Sequence, residues 1–236
     1  MVKLTIDLIG NKAQFVGMHF PHLMHNIPRP FSVDHGHEAR QFFAADGEEI
    51  QDFVAAVAGS SPYLKGLIEK EYQWLRGAFA QPNAALKVEF SDLKATADSD
   101  LMSALRRAKR RVALWTALCD LAGVWALEEV TEALSKFADL ACQISLTHAL
   151  KVQLQREKIP TRMPETDPAG LGMFVLAMGK LGANELNYSS DIDLICFFDE
   201  SYFASVDVFE ARAGFIRATK DMVALLNDIT AEGYVF

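Results

Sequence analysis

Residues 179–193 read GKLGANELNYSSDID: a glycine-spaced turn, two serines, then two aspartates one residue apart. Asp191 and Asp193 stand at the mouth of LICFF, an apolar run that reads as a buried strand. Side chains alternate across a strand, so both carboxylates share one face, with Ile192 and Leu194 on the other. Positions two apart lie ~6.5–7 Å apart along a strand, close enough to ligate one or two divalent cations together. Uncompensated, like charges at that separation repel and raise a carboxyl pKa. A hard cation with oxygen ligands removes the cost, and Mg2+ suits a site where phosphate oxygens complete the shell. Asp191 and Asp193 are therefore candidate metal ligands and catalytic residues.

The preceding loop fits the same purpose. Gly179 ends the apolar stretch GMFVLAM, and Gly182 permits a tight turn. Backbone N–H groups freed in such a turn can cradle phosphate oxygens. Lys180 adds a positive charge, and Ser189 and Ser190 add hydroxyl donors beside the aspartates. No GxxxxGK[ST] run is present, so this is not a P-loop. A D-x-D alone is common in surface turns. Its place at the start of one strand, after a glycine turn that ends another, points to phosphoryl or nucleotidyl transfer with metals clamping the attacking and leaving oxygens.

The elements that must position these residues begin beyond a proline- and glycine-rich connection, EKIPTRMPETDPAGLG, where the pattern changes from helical to strand-like. A domain boundary is placed there, near Thr166. The remainder reads as strand GMFVLAMG, a turn, strand DIDLICFFD, an amphipathic helix over about 206–231, and a last strand, GYVF. The fold class is α+β: an irregular lead-in (1–37), a helical domain (38–165) and a small transfer module (166–236). In the helical domain, residues 38–79 carry apolar positions at three- and four-residue steps, with Gly59-Ser60-Ser61-Pro62 as stop and restart. Ser61 is expected to cap the next helix, with Pro62 in its first turn. A hairpin follows. Asp98 or Ser99 caps a helix with the stripe Leu101, Leu105, Ala108, Val112, Trp115 and Cys119, closed by a left-handed Gly123. The second helix has the stripe Leu127, Val130, Leu134, Phe137, Ala141, Ile144 and His148, and the two stripes bury one another.

Two other features invite chemistry. RRAKRR, residues 106–111, places five cations in six positions. It could dock an acidic partner or a phosphate, but charge runs on helices usually face water, and a solvated face is the preferred reading. His19, His22 and His25 have metal-like spacing, yet Pro21 breaks a helix there and no carboxylate or cysteine completes a set; an exposed polar lead-in is preferred.

Composition sets limits. A net charge of −8 argues against general nucleic-acid binding while leaving local basic patches open. Cys119, Cys142 and Cys196 lie far apart in apolar runs and form no CxxC pair, which fits a reducing compartment. Asp7, Asn11 and Lys12 interrupt any secretory core, and no stretch reaches the ~18 apolar residues of a membrane span. A cytoplasmic enzyme without a membrane or nucleic-acid partner is expected.

The run GKLGANELNYSSDIDLICFFD closely resembles the signature of the bacterial glutamine synthetase adenylyltransferase/adenylyl-removing family. The similarity continues upstream through SPYL, LRRAKRR, DLAG and LSKFADLA, from about residue 60 onward. The resemblance implies a DNA polymerase β-like nucleotidyltransferase fold and Mg2+ as cofactor. It also implies glutamine synthetase as protein substrate, ATP/ADP and phosphate as small substrates, and the PII signalling protein with glutamine as regulators. Such enzymes carry two halves: the N-terminal one removes AMP from a tyrosine of glutamine synthetase by phosphorolysis, giving ADP, and the C-terminal one attaches AMP from ATP. The motif's position near residue 190 and its G-K-L-G and S-S-D-I-D wording look like the deadenylylating copy. The alternatives are the adenylylating half, or a helical docking module for glutamine synthetase or the signalling protein. By the resemblance, Asp191 and Asp193 hold metal, and Gly179, Lys180, Gly182 and Ser190 lie on the phosphate side. Ala183 departs from a usual glycine. The fold's third metal carboxylate belongs on a strand after the long helix, beyond GYVF, and Asp199, Asp221 and Asp228 do not replace it. These 236 residues are thus expected to be part of a longer enzyme and inactive alone.

Overall fold

A computed structural model describes residues 19–160 and 171–236. Residues 1–18 of the expected lead-in, and the boundary placed near Thr166, lie outside the described residues. The described chain is mostly helical. Six helices come first: α1 (Val33–Gln41), α2 (Glu48–Ser60), α3 (Pro62–Ala80), α4 (Ala85–Lys94), α5 (Leu101–Leu121) and α6 (Leu127–Gln155). Strand β1 (Met173–Ala177), the single turn α7 (Gly179–Gly182), strand β2 (Leu194–Phe198) and helix α8 (Val208–Asn227) complete it. None of these helices is long and apolar enough to cross a membrane. The mixture is α+β, with a two-stranded antiparallel sheet.

Local signals account for much of this. Ser61 closes α2 and caps α3, its side chain accepting from the Leu64 N–H at 3.3 Å, with Pro62 as the first helical residue. Gly123 ends α5 at φ +67°. The expected 38–79 helical stretch is interrupted between Gln41 and Glu48, and helix α4 was not anticipated. Part of the expected irregular lead-in is ordered: Phe20 is fully buried against Phe53, Phe79 and Trp115, with ring centroids 5.1–5.8 Å away, and α1 begins at Val33. His19 and His22 are exposed and flank this anchor. Asp98 does not cap α5 through its side chain; it pairs instead with Lys151 and with His148, 3.2 Å away, near the end of α6. Leu127, expected on the inner stripe, is exposed at the start of α6.

Helix α5 spans two cores. Its first half (Leu101, Leu105, Ala108, Val112) packs with Val130, Leu134, Phe137 and Ala141 of α6 and with Phe215 and Met222 of α8. Its second half (Leu114, Trp115, Leu118, Cys119) packs with α2 and α3. The inner face of the sheet joins the first core: Met173, Val175 and Ala177 sit opposite Phe198, Cys196 and Leu194. The outer face is apolar and exposed, with Phe174 stacked on Phe197 at 5.3 Å.

RRAKRR on α5 is neither a solvated face nor a free docking face. Arg106 is 1% exposed and donates to the carbonyls of Met102 (2.9 Å), Leu225 (3.1 Å), Gly233 (2.8 Å) and Asp228. Lys109 donates to Val235 O at 2.8 Å over the Phe236 ring. Arg110 and Arg111 both engage buried Glu71 on α3, at 2.9 and 2.8 Å, where α3 departs from helical geometry; Arg111 also reaches buried Glu89 on α4 at 2.9 Å. Arg107 is exposed. Both expectations fail for one reason: carbonyls and carboxylates brought from distant sequence consume the charges. GYVF, expected as a strand, instead closes a tight turn at Thr230–Gly233 and folds back so that Val235 and Phe236 donate to Leu226 O. No strand edge lies beside it among the described residues; the carbonyls it offers go to Arg106 and Lys109.

Arg106→Met keeps the volume and removes the donors, leaving carbonyls without partners. Its urea unfolding midpoint is expected to fall by the equivalent of about 3 kcal/mol, whereas Arg107→Met is expected to stay within about 0.5 kcal/mol of the parent.

Candidate active site

The site residues gather where β1 leaves the sheet and the chain returns to enter β2. The strand ladder continues past both strands: the Met178 N–H donates to Asp193 O at 2.8 Å. Asp193 is thereby held in extended geometry just before Leu194. Along 191–194 exposure alternates, Asp191 and Asp193 outward and Ile192 and Leu194 packed against the core. The same-face arrangement expected of the two carboxylates is what the chain adopts, although β2 itself starts one residue later, at Leu194. Neither aspartate forms a salt bridge among the described residues. No group of three or more His, Cys, Asp or Glu side chains suited to a metal ion occurs among the described residues either. Asp199, at the far end of β2, caps a short 3-10 turn through the Ser201 N–H at 2.9 Å, and that bond draws its pKa below the ordinary carboxyl value. Asp221 accepts from Gln153 at 2.6 Å on the α6 side.

The glycine turn is α7, one helical turn. Gly179 has φ +54°, and a Cβ there would stand 3.1 Å from Asp193 Oδ2, so this glycine backs directly onto the carboxylate. A Cβ at Gly182 would stand 2.5 Å from Ala177 O; its need for glycine is close approach to the strand. Ala183 adopts ordinary helical geometry, so no glycine is required there. The left-handed residue is Asn184, at φ +60°. The N–H groups of Gly182 and Ala183 are spent inside the turn, on Met178 O and Gly179 O. A phosphate cradle at this turn cannot draw on those two groups. Lys180 is exposed and its Nζ lies 3.4 Å from Ser190 Oγ, which brings the loop cation beside the serine next to Asp191.

Residues that the sequence reading left without roles organise the loop between. Asn187 Oδ1 accepts from the Ser189 N–H at 3.3 Å and the Ser190 hydroxyl at 2.7 Å, forming an Asx turn. The Leu186 N–H donates to Ser135 Oγ on α6 at 3.2 Å, with both residues buried. Tyr188 Oη donates to Asp120 Oδ2 at the end of α5, at 3.1 Å; burial and that carboxylate push its phenol far above the ordinary range. The N-x-S/T-like spacing of Asn187 hints at an Asx turn; nothing in the sequence reveals the partners on α5 and α6. Burial suppresses the thiols, pushing Cys142 up to about 12, so a cysteine nucleophile has no support.

Comparison with known proteins agrees with this geometry. A family model described as glutamate-ammonia ligase adenylyltransferase matches residues 50–236. A bifunctional glutamine synthetase adenylyltransferase/adenylyl-removing enzyme of Bradyrhizobium sp. (strain ORS 278) is 40% identical over 192 residues, covering 79% of this chain and 20% of the relative. The protein of the same description from Rhodopseudomonas palustris (strain TIE-1) is 38% identical over 213 residues, 86% of this chain and 22% of that one. The Agrobacterium fabrum protein is 34% identical over 197 residues. The chain spans about a fifth of the length of the curated relatives it matches.

Substituting Gly182→Ala is expected to cost about 2 kcal/mol of stability through the clash with the Ala177 carbonyl. Gly77→Ala, in open space on α3, is expected to be neutral or to stabilise by about 0.5–1 kcal/mol. Urea denaturation of both variants checks the contrast.

Proposed function

This chain belongs to the glutamate-ammonia ligase adenylyltransferase family, and from that premise we propose that it carries the deadenylylating nucleotidyltransferase site of a longer, two-activity enzyme. The observation that carries the reading is the outward pair Asp191 and Asp193, ahead of β2 and backed by Gly179. These carboxylates are exposed, hard oxygen donors without cationic partners among the described residues, which fits Mg2+. Bound there, Mg2+ would stabilise charge on the transferring phosphoryl group; phosphate oxygens, water and further carboxylates would complete the coordination.

The reaction is glutamine synthetase-tyrosyl-AMP plus phosphate giving glutamine synthetase and ADP. An oxygen of inorganic phosphate bonds to the AMP phosphorus, the bond to the tyrosine oxygen breaks, and the proton carried by the phosphate ends on that oxygen. Lys180 and Ser190 lie 3.4 Å apart on the approach to the aspartates, suited to orient phosphate oxygens. Ser189, Gly179 and Gly182 shape the same wall. The polymerase β-like fold belongs to this proposal: two antiparallel strands, a connecting turn carrying the carboxylates and a long helix behind the sheet are compatible with it. The PII signalling protein and glutamine are the proposed regulators, and the cytoplasm the proposed setting. RRAKRR is withdrawn from any docking role, since its cations are occupied internally apart from Arg107. The adenylylating alternative consumes ATP and releases pyrophosphate.

In the full-length protein that carries this module, Asp191→Asn and Asp193→Asn should each lower phosphate-dependent AMP release by at least ~100-fold. ADP is the expected product. Undiminished release by the variants, or pyrophosphate formed from ATP at this site, would overturn the reading.

A further inference from the structure

We infer that Tyr188 and Asp120 form a positioning pair, whose hydrogen bond fixes the loop that delivers Asp191 by tying it to the end of helix α5. The inference rests on the role proposed for Asp191 and Asp193.

The loop between α7 and β2 is anchored at both ends. At the front, Leu186 is buried and its N–H reaches the buried Ser135 hydroxyl on α6. At the rear, Ile192 packs into the core and Asp193 O takes the Met178 N–H. Between these points lie Asn187 to Asp191, an exposed run apart from half-buried Ser190. The Asx turn of Asn187 holds Ser189 and Ser190 but makes no bond to any helix. Tyr188 therefore supplies the tie from this run to the scaffold, through Asp120 at 3.1 Å. A phenol donating to a carboxylate is a charge-assisted bond, roughly twice as strong as a neutral one. Without it, the middle of the loop depends on a neutral Ser135 contact one residue upstream of the Asx turn. Asp120 is itself well placed to act as a fixed point. It lies in the last turn of α5, which is locked by the buried Arg106 at its other end and closed by the Gly123 N–H bonded to Asp120 O at 2.9 Å. Asp191 follows Tyr188 by three residues, so a displacement at Tyr188 is transmitted directly to the carboxylate. Catalytic groups lose rate steeply when misplaced by about 1 Å.

Two measurements on Tyr188→Phe, Asp120→Leu, the double variant and Asp120→Asn test the pair. The first is amide hydrogen exchange of the segment 186–191 in this chain. It should accelerate about tenfold in both single variants while α3 and α6 stay protected, and Asp120→Asn, which retains an acceptor oxygen, should stay close to the parent. The second is AMP release by the full-length protein. Here kcat should fall about tenfold with KM for phosphate within about twofold. Asp120→Asn should recover most of the rate, and the double variant should be no slower than the slower single. Unchanged exchange in the single variants, unchanged turnover in a protein whose parent releases AMP, or losses that multiply in the double variant would each overturn the inference. If the parent releases no AMP, the proposed function fails, and the exchange measurement alone decides whether the pair orders the loop.

Discussion

A guanidinium removed from water must have its donors matched, because the penalty for an unpaired buried charge exceeds what its neighbours gain by packing. Arg106 meets that condition with four carbonyls, three of which belong to the end of α8 and the turn after it. The turn at Thr230–Gly233 therefore has to sit over α5, and with it the C-terminal end of α8. The inner face of α8 in turn supports the sheet, through Phe215 against Phe198 at 5.0 Å. Further along α5, Arg110 and Arg111 close around Glu71, which α3 can offer only by giving up regular helical geometry at that residue. One helix thus fixes the bundle on one side and the transfer module on the other.

The site inherits its geometry from that frame. The antiparallel pairing of β1 and β2 extends by one bond to Asp193, and the requirement that Ile192 pack inward turns both aspartates outward. Glycine is needed at 179 and 182 because the Asp193 carboxylate and the Ala177 carbonyl occupy the space where a Cβ would go. The loop that precedes the aspartates then attaches to α6 through Ser135 and to α5 through Asp120. The chemistry-bearing residues belong to the small α+β part, but their placement is set by the long helices.

How much of this could be read from the sequence follows the range of the interactions. Local signals were legible: Ser61 and Pro62 at the start of α3, the left-handed Gly123, and the alternation that puts Asp191 and Asp193 on one face. Long-range pairing was not. RRAKRR has the composition of a solvated face, and nothing nearby indicates that Glu71, Glu89 and the carbonyls of 225–235 will consume it. Asp98 looked like a cap because caps are local, whereas its partners are His148 and Lys151, about fifty residues away. GYVF has strand composition, but a strand requires an edge to pair with, and among the described residues these amides turn to Leu226. Tyr188 and Asp120 carried no signal at all, since neither type nor spacing links residues 68 positions apart.

The central claim is that α5 joins the helical bundle and the transfer module into one cooperative body. Native-state hydrogen exchange as a function of urea tests it most directly, by comparing the slowest amides of α3 with those of α8 and β2. The account predicts that all of them merge into one global unfolding isotherm. A separate, lower-energy opening that exposes α8 and the strands while α3 stays protected would contradict it.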